Sequence, residues 1–223
     1  MTRRCLSNVV TWPRMLIAAV AALLVSLPGA PATSHPHAWI DLRSGLLFDD
    51  DGRITAIEQE WFFDYFYSTI VAEELAMEDR PLQDVLDELA EINLNSLADY
   101  DYFTEMIANG GEVAIGEVLE YETEMRDERL WMRFVVELDE PVDPNAQLVS
   151  YSIYDPSYYI EMVHLEGEPV MLSGGETGSC IALTQSADPT FEAVALAAAI
   201  DRTQTGPTDL GAMFAEWVHV TCD

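Results

Sequence analysis

The side chains in this sequence most able to do chemistry are two histidines flanking one proline, in "HPHAWIDL" (35–42). The chain has only four histidines, so placing two of them within three residues is notable. Imidazole nitrogens suit copper, nickel, cobalt and zinc. If the chain is cut before His35, the new α-amine and the His35 imidazole form a chelating pair, and His37 adds a third nitrogen. Pro36 restricts the possible modes. A terminal copper or nickel site built on deprotonated amides needs an amide hydrogen that proline lacks. The amine and the side chains remain, in a brace-like set whose amine loses its proton near its ordinary pKa of ~8.

Other candidate ligands follow from strand periodicity. Residues two apart share a face, so His37, Trp39 and Asp41 lie opposite Ala38 and Ile40. Asp155, in "YDPSYY", sits at a strand end, where it could face inward or could shape an aspartate-proline turn. His164 completes the candidate set. It shares a face with Tyr158, Ile160 and Met162, which also suits a packed core histidine. His219 lies opposite Val218 and Val220 and reads as structural or exposed.

These residues must be held by a folded mature chain. Residues 1–34 read as a secretory signal. Arg3, Arg4 and Arg14 form a basic leader. "MLIAAVAALLVSL" (15–27) is an apolar run too short to span a membrane comfortably, and Pro28, Gly29 and small residues end it. Cleavage fits after Ala32 or after Ser34. The expected location is the periplasm. Cys5 leaves with the signal, and the two remaining cysteines, Cys180 and Cys222, are expected to pair in an oxidising compartment. The chain-entropy value of such a loop is about 4 kcal/mol.

Composition excludes several functions. The 223 residues carry forty Asp plus Glu against ten basic residues, all arginine, for a net charge of −30. The lack of lysine excludes Schiff-base chemistry and a Walker-type phosphate loop. Such acidity repels phosphate, so no nucleic-acid partner is expected. A hydrophobic content of 49% is enough for a sizeable core.

The elements follow from patterning. Ile40, Leu42, Leu46 and Phe48 alternate, "DDDG" (49–52) turns, and "RITAIEQEWFF" (53–63) returns, which predicts a β-hairpin. Helices are expected over Asp64–Glu78 and Pro81–Ala108. A second hairpin turns at "RDER", with Leu130, Met132, Phe134, Val136 and Leu138 on one face of its return strand. Further strands are expected in 147–155, 158–166, "PVMLS", "CIALTQ" and "VHVTC". A helix through Ile200 is expected to be capped by Asp188, and a short one over 206–217 by Thr208. The predicted fold is α+β: an antiparallel sheet or sandwich with a helical insertion near 64–108, in one domain spanning 35–223.

Taken together, "HPHAWIDL", "FDDDGRI", "WFFDYFYS", "LADYDYFT", "YSIYDPSYY" and "LGAMFAEWVHVTC" resemble the DUF1007 family across essentially the whole mature chain. The resemblance implies a periplasmic component of an ABC-type transport system, associated with nickel, cobalt or zinc permeases of the inner membrane. Some relatives carry a calcium-loop-like DxDGDG stretch in the helical block. Here that region reads "LAMEDRPLQ" (75–83), so no calcium site is expected there. Three functions compete: a non-enzymatic metal-binding or delivery protein, an envelope scaffold without metal, and a copper enzyme with His35 as its brace. The first is the leading reading, with a transition metal ion and a permease as its partners.

Overall fold

The computed structural model describes residues 36–168, 170–200 and 206–222. The expected signal segment, residues 1–34, and His35 lie outside the described residues. Strand β1 (Ala38–Phe48) pairs antiparallel with β2 (Ile54–Phe63) through the "DDDG" turn. The turn is stabilised by Asp49, whose carboxylate accepts the backbone N–H groups of Asp51 and Arg53. The even residues Ile40, Leu42, Ser44, Leu46 and Phe48 point inward and are buried, as period-two alternation requires.

Helix α1 (Tyr65–Leu75) begins where β2 ends. The Oδ1 of Asp64 accepts the N–H groups of Phe66 and Tyr67 at 2.8 and 2.9 Å, satisfying two of the four orphan donors of the first turn. The second oxygen of Asp64 accepts the Trp39 N–H, so one carboxylate couples the helix start to the start of β1. Helix α2 (Leu82–Leu97) buries Leu86, Ala90 and Leu94, a four-residue repeat facing the core.

The expected helix to Ala108 stops at Leu97. Residues Ala98–Phe103 form a 3-10 turn that passes into left-handed backbone, with φ of 50°, 53° and 60° at Asp101, Tyr102 and Phe103. Residues 104–108 are strand β3 (Thr104–Ala108), and Asn109-Gly110 turns it into β4 (Gly111–Glu112). The helix ends because its next residues are drawn into the core. Tyr102 is buried, and the Phe103 ring stacks on Trp61 with centroids 6.0 Å apart.

Strands β5 (Ile115–Arg126) and β6 (Arg129–Val142) form the second hairpin. Asp127 and Glu128, both at positive φ, make its two-residue loop. The alternating residues Leu130 to Leu138 are buried as expected. Then follow β7 (Val149–Ile153), β8 (Ile160–His164), β9 (Met171–Gly174), β10 (Ile181–Gln185), helix α3 (Phe191–Ala199) and β11 (Trp217–Thr221). The cap of α3 is Thr190 rather than Asp188, its side chain accepting the Ala193 N–H. The expected short helix over 206–217 reduces to a 3-10 turn, Gly211–Phe214, without a side-chain cap.

The strands form two sheets, and the fold is α+β. The first runs β5-β6-β2-β1-β8, with β9 also against β1; the second runs β10-β11-β7-β3-β4. The first sheet is mixed, because β8 and β9 pair parallel with β1. One hydrophobic core draws on both sheets, α1 and α2. The helical segment between β2 and β3 covers Tyr65–Leu97, shorter than the 64–108 expected. Cys180 and Cys222 form the expected disulfide, across the start of β10 and the end of β11.

Candidate functional site

His37 stands just before β1. Its N–H donates to the Tyr159 carbonyl at 2.8 Å, and its ring lies 4.7 Å from the Tyr159 ring, tilted 37°. The approach to β8 therefore fixes both the backbone and the imidazole. Trp39, next on the same face, is exposed. Asp41 follows on that face, held by Arg129 in a 2.7 Å ion pair. The same guanidinium donates to the carbonyls of Phe62 and Phe63. An arginine that ties a carboxylate to two strand carbonyls acts as a brace for the sheet.

Asp155 is buried and fully committed to its own turn. One oxygen accepts from the Ser157 N–H and hydroxyl, both at 2.8 Å, and the other accepts the Ile160 N–H at 2.9 Å. This carboxylate builds the "DPSYY" corner that places Tyr159 against His37. The 3-10 turn at Gly211 packs on the same corner, where its N–H donates to the Pro156 carbonyl. A Cβ on Gly211 would collide with the Asp155 carbonyl, so this close approach of two backbones admits only glycine.

His164 sits inside the sandwich with both ring nitrogens engaged. Nδ1 lies 3.0 Å from Glu216 Oε2, and Nε2 lies 2.8 Å from Ser44 Oγ. Ser44 Oγ in turn meets the Tyr151 hydroxyl at 2.7 Å, and Glu216 also accepts the His164 N–H at 2.7 Å. Burial raises the Glu216 pKa, but its hydrogen bonds and attraction to His164 outweigh burial and hold it below the usual carboxylate range. Burial drives the fully enclosed Tyr151 phenol far upward, so it keeps its proton.

Serine, histidine and glutamate here follow the order of a hydrolytic triad. Ser44, however, is only 5% exposed, in mid-strand on the inner face, and its hydroxyl is already engaged by Tyr151 as well as His164. The chain of hydrogen bonds links β1 and β8 of one sheet to β7 and the residue before β11 of the other.

Of the candidate ligands, the structure places His37 at the head of β1 and His164 in the core. It gives Asp41 to Arg129 and Asp155 to its own turn. Asp41 and His164 fall on opposite faces, since His164 pairs in register with inward-facing Leu42. Among the described residues, no three or more His, Cys, Asp or Glu side chains gather to hold a metal ion. His35 is outside the described residues. Sequence reasoning missed Ser44 and Glu216. The signal was available: Ser44 lies two residues from both Leu42 and Leu46, and Glu216 two from Val218, so both had inward parity.

The fold and its interior define a two-sheet α+β sandwich closed by a disulfide and crossed by a buried polar chain. The chain belongs to the DUF1007 family, described as a protein of unknown function, whose family model matches residues 20–222. It is 23% identical over 195 residues to an uncharacterized protein of Haemophilus influenzae, an alignment covering 85% of this chain and 92% of that protein. No solved structure matches it significantly.

Proposed function

We propose that the mature chain is a periplasmic transition-metal-binding accessory protein that serves an inner-membrane metal permease or ABC transporter without performing catalysis. The observation that supports this reading is the seat of His37. Its backbone is bonded to Tyr159 and its ring is packed on the Tyr159 ring, so the segment ahead of β1 starts from a fixed point. A cut before His35 then delivers an amine and an imidazole to that point, and nitrogen donors of this kind select zinc, nickel, cobalt or copper. Asp41, Asp155 and His164 are left out of the ligand set, because each already satisfies a structural partner.

The test combines the intact mass of the secreted protein with titration of zinc, nickel, cobalt and copper. The expected result is a mature chain beginning at His35 and one bound metal ion, with His35→Ala weakening binding at least tenfold. A mature end beyond His35, or unchanged affinity in His35→Ala, overturns the reading.

A further inference from the structure

The motif "LADYDYFT" takes no part in the histidine end, yet it carries the most unusual backbone of the described chain. Asp101, Tyr102 and Phe103 are three consecutive non-glycine residues in the left-handed region, where each costs roughly 1–2 kcal/mol. Tyr102 turns into the core, while Tyr100, Asp101 and Phe103 line a cavity of about 440 Å³. A second motif, "YSIYDPSYY", contributes Tyr154 and Pro156 to the lining. The two motifs are tied side by side where the Tyr154 N–H donates to the Phe103 carbonyl at 2.9 Å. Glu105 and Glu112, on β3 and β4, complete the lining.

The chemistry of this lining is specific. Tyr100 and Phe103 contribute two aromatic rings to the lining, with centroids 6.2 Å apart, tilted by 59°. Tyr154 donates its hydroxyl to Glu105 Oε2 at 2.7 Å, which orients that carboxylate. Burial, with Glu105 and Glu112 adding to it, pushes the Tyr154 phenol upward and keeps its proton in place. Among the described residues no arginine or histidine lines the cavity, and each of the six described arginines is ion-paired elsewhere. Ring faces attract cations through their quadrupoles, and carboxylates add charge, so the walls reject anions. The apolar side, which includes Val113 and Ile115, suits carbon rather than a hydrated metal ion. The volume falls within the range of small-molecule sites.

We propose that this cavity binds a small organic cation, an ammonium or guanidinium group carried on a short apolar body. The cation sits against Tyr100 and Phe103, the carboxylates of Glu105 and Glu112 neutralise it, and the carbon body lies on the apolar side. The site is separate from the histidine end and does not depend on it.

The test is calorimetric titration of the full mature chain with choline and with agmatine, against calcium chloride and sodium chloride at matched ionic strength. At least one organic cation is expected to bind with a dissociation constant on the order of 1 mM or tighter. Tyr100→Leu and Glu105→Gln are each expected to weaken it about three- to tenfold. Tyr100 is 59% exposed, and the glutamine amide oxygen still accepts from the Tyr154 hydroxyl, so both variants should fold, which their melting curves verify. His35→Ala is expected to leave this binding unchanged. The proposal fails if neither organic cation binds, if calcium alone binds, or if both variants keep the wild-type affinity.

Discussion

Replacing Glu216 with glutamine probes the buried chain at its only acidic member. In the native protein one oxygen, Oε2, accepts two N–H groups of the same histidine, at 2.7 and 3.0 Å. A hydrogen bond to an ionised group is worth about 1.5–3 kcal/mol, against about 0.5–1.5 kcal/mol for a neutral pair. The substitution removes roughly 1 kcal/mol from each bond. It also places an amide NH2 where the Glu216 side chain is only 11% exposed. The expected loss at pH 7 is about 2–3 kcal/mol, a fall in Tm of about 4–12 °C for a chain of this size.

The pH dependence provides a sharper check. The folded pKa of Glu216 lies below its ordinary value of 4.5, so its stabilisation is complete above that value. It is lost as the pH falls through the lower folded value, because protonated glutamate then resembles glutamine. Urea unfolding of both proteins from pH 7 downward should show a gap that is constant to about pH 4.5 and narrows below it. A gap under about 0.5 kcal/mol at pH 7, or one that persists unchanged in acid, would refute the assignment of Glu216 as a charged partner of His164.

Two further outcomes follow from the packing. Gly211→Ala drives a Cβ into the Asp155 carbonyl and must move backbone. It should cost about 3 kcal/mol in urea unfolding, and a cost under about 1 kcal/mol contradicts the close approach. The Cys180–Cys222 disulfide closes a sequence separation of 42. Reducing it should lower stability by about 3–4 kcal/mol, read from urea unfolding of oxidised and reduced protein.

The strands that face one core were legible because period-two alternation is local. Ile40 to Phe48 and Leu130 to Leu138 lie as the pattern requires. The segment 98–108 was not legible as turn and strand. Its composition continues that of a helix, while its path is decided by Tyr102 and Phe103 docking on distant aromatics, a long-range effect no window reveals. The inward parity of Ser44, His164 and Glu216 was readable, but their meeting was not. It depends on β8 lying parallel beside β1 and on β11 facing them from the other sheet, and strand order is not written in periodicity. The start of the first strand at Ala38 was legible; the partner of His37, Tyr159, lies far along the chain and only the fold brings it there.

The pairing of all six described arginines has a consequence for how copies of this molecule meet. Arg43 joins Glu60 and Glu168, Arg53 holds Asp49 and Asp51, Arg80 meets Glu88, Arg126 meets Glu124, Arg129 braces Asp41, and Arg133 spans Glu58 and Glu120. The described cations are spent within the molecule, and the excess carboxylates set its outward field. Two copies therefore approach as bodies of the same large net negative charge. Their repulsion reaches about 30 Å at 0.01 M salt and contracts to about 8 Å at physiological ionic strength. Self-association is thus throttled by dilution of salt, whereas a cationic partner is drawn in more strongly by the same dilution.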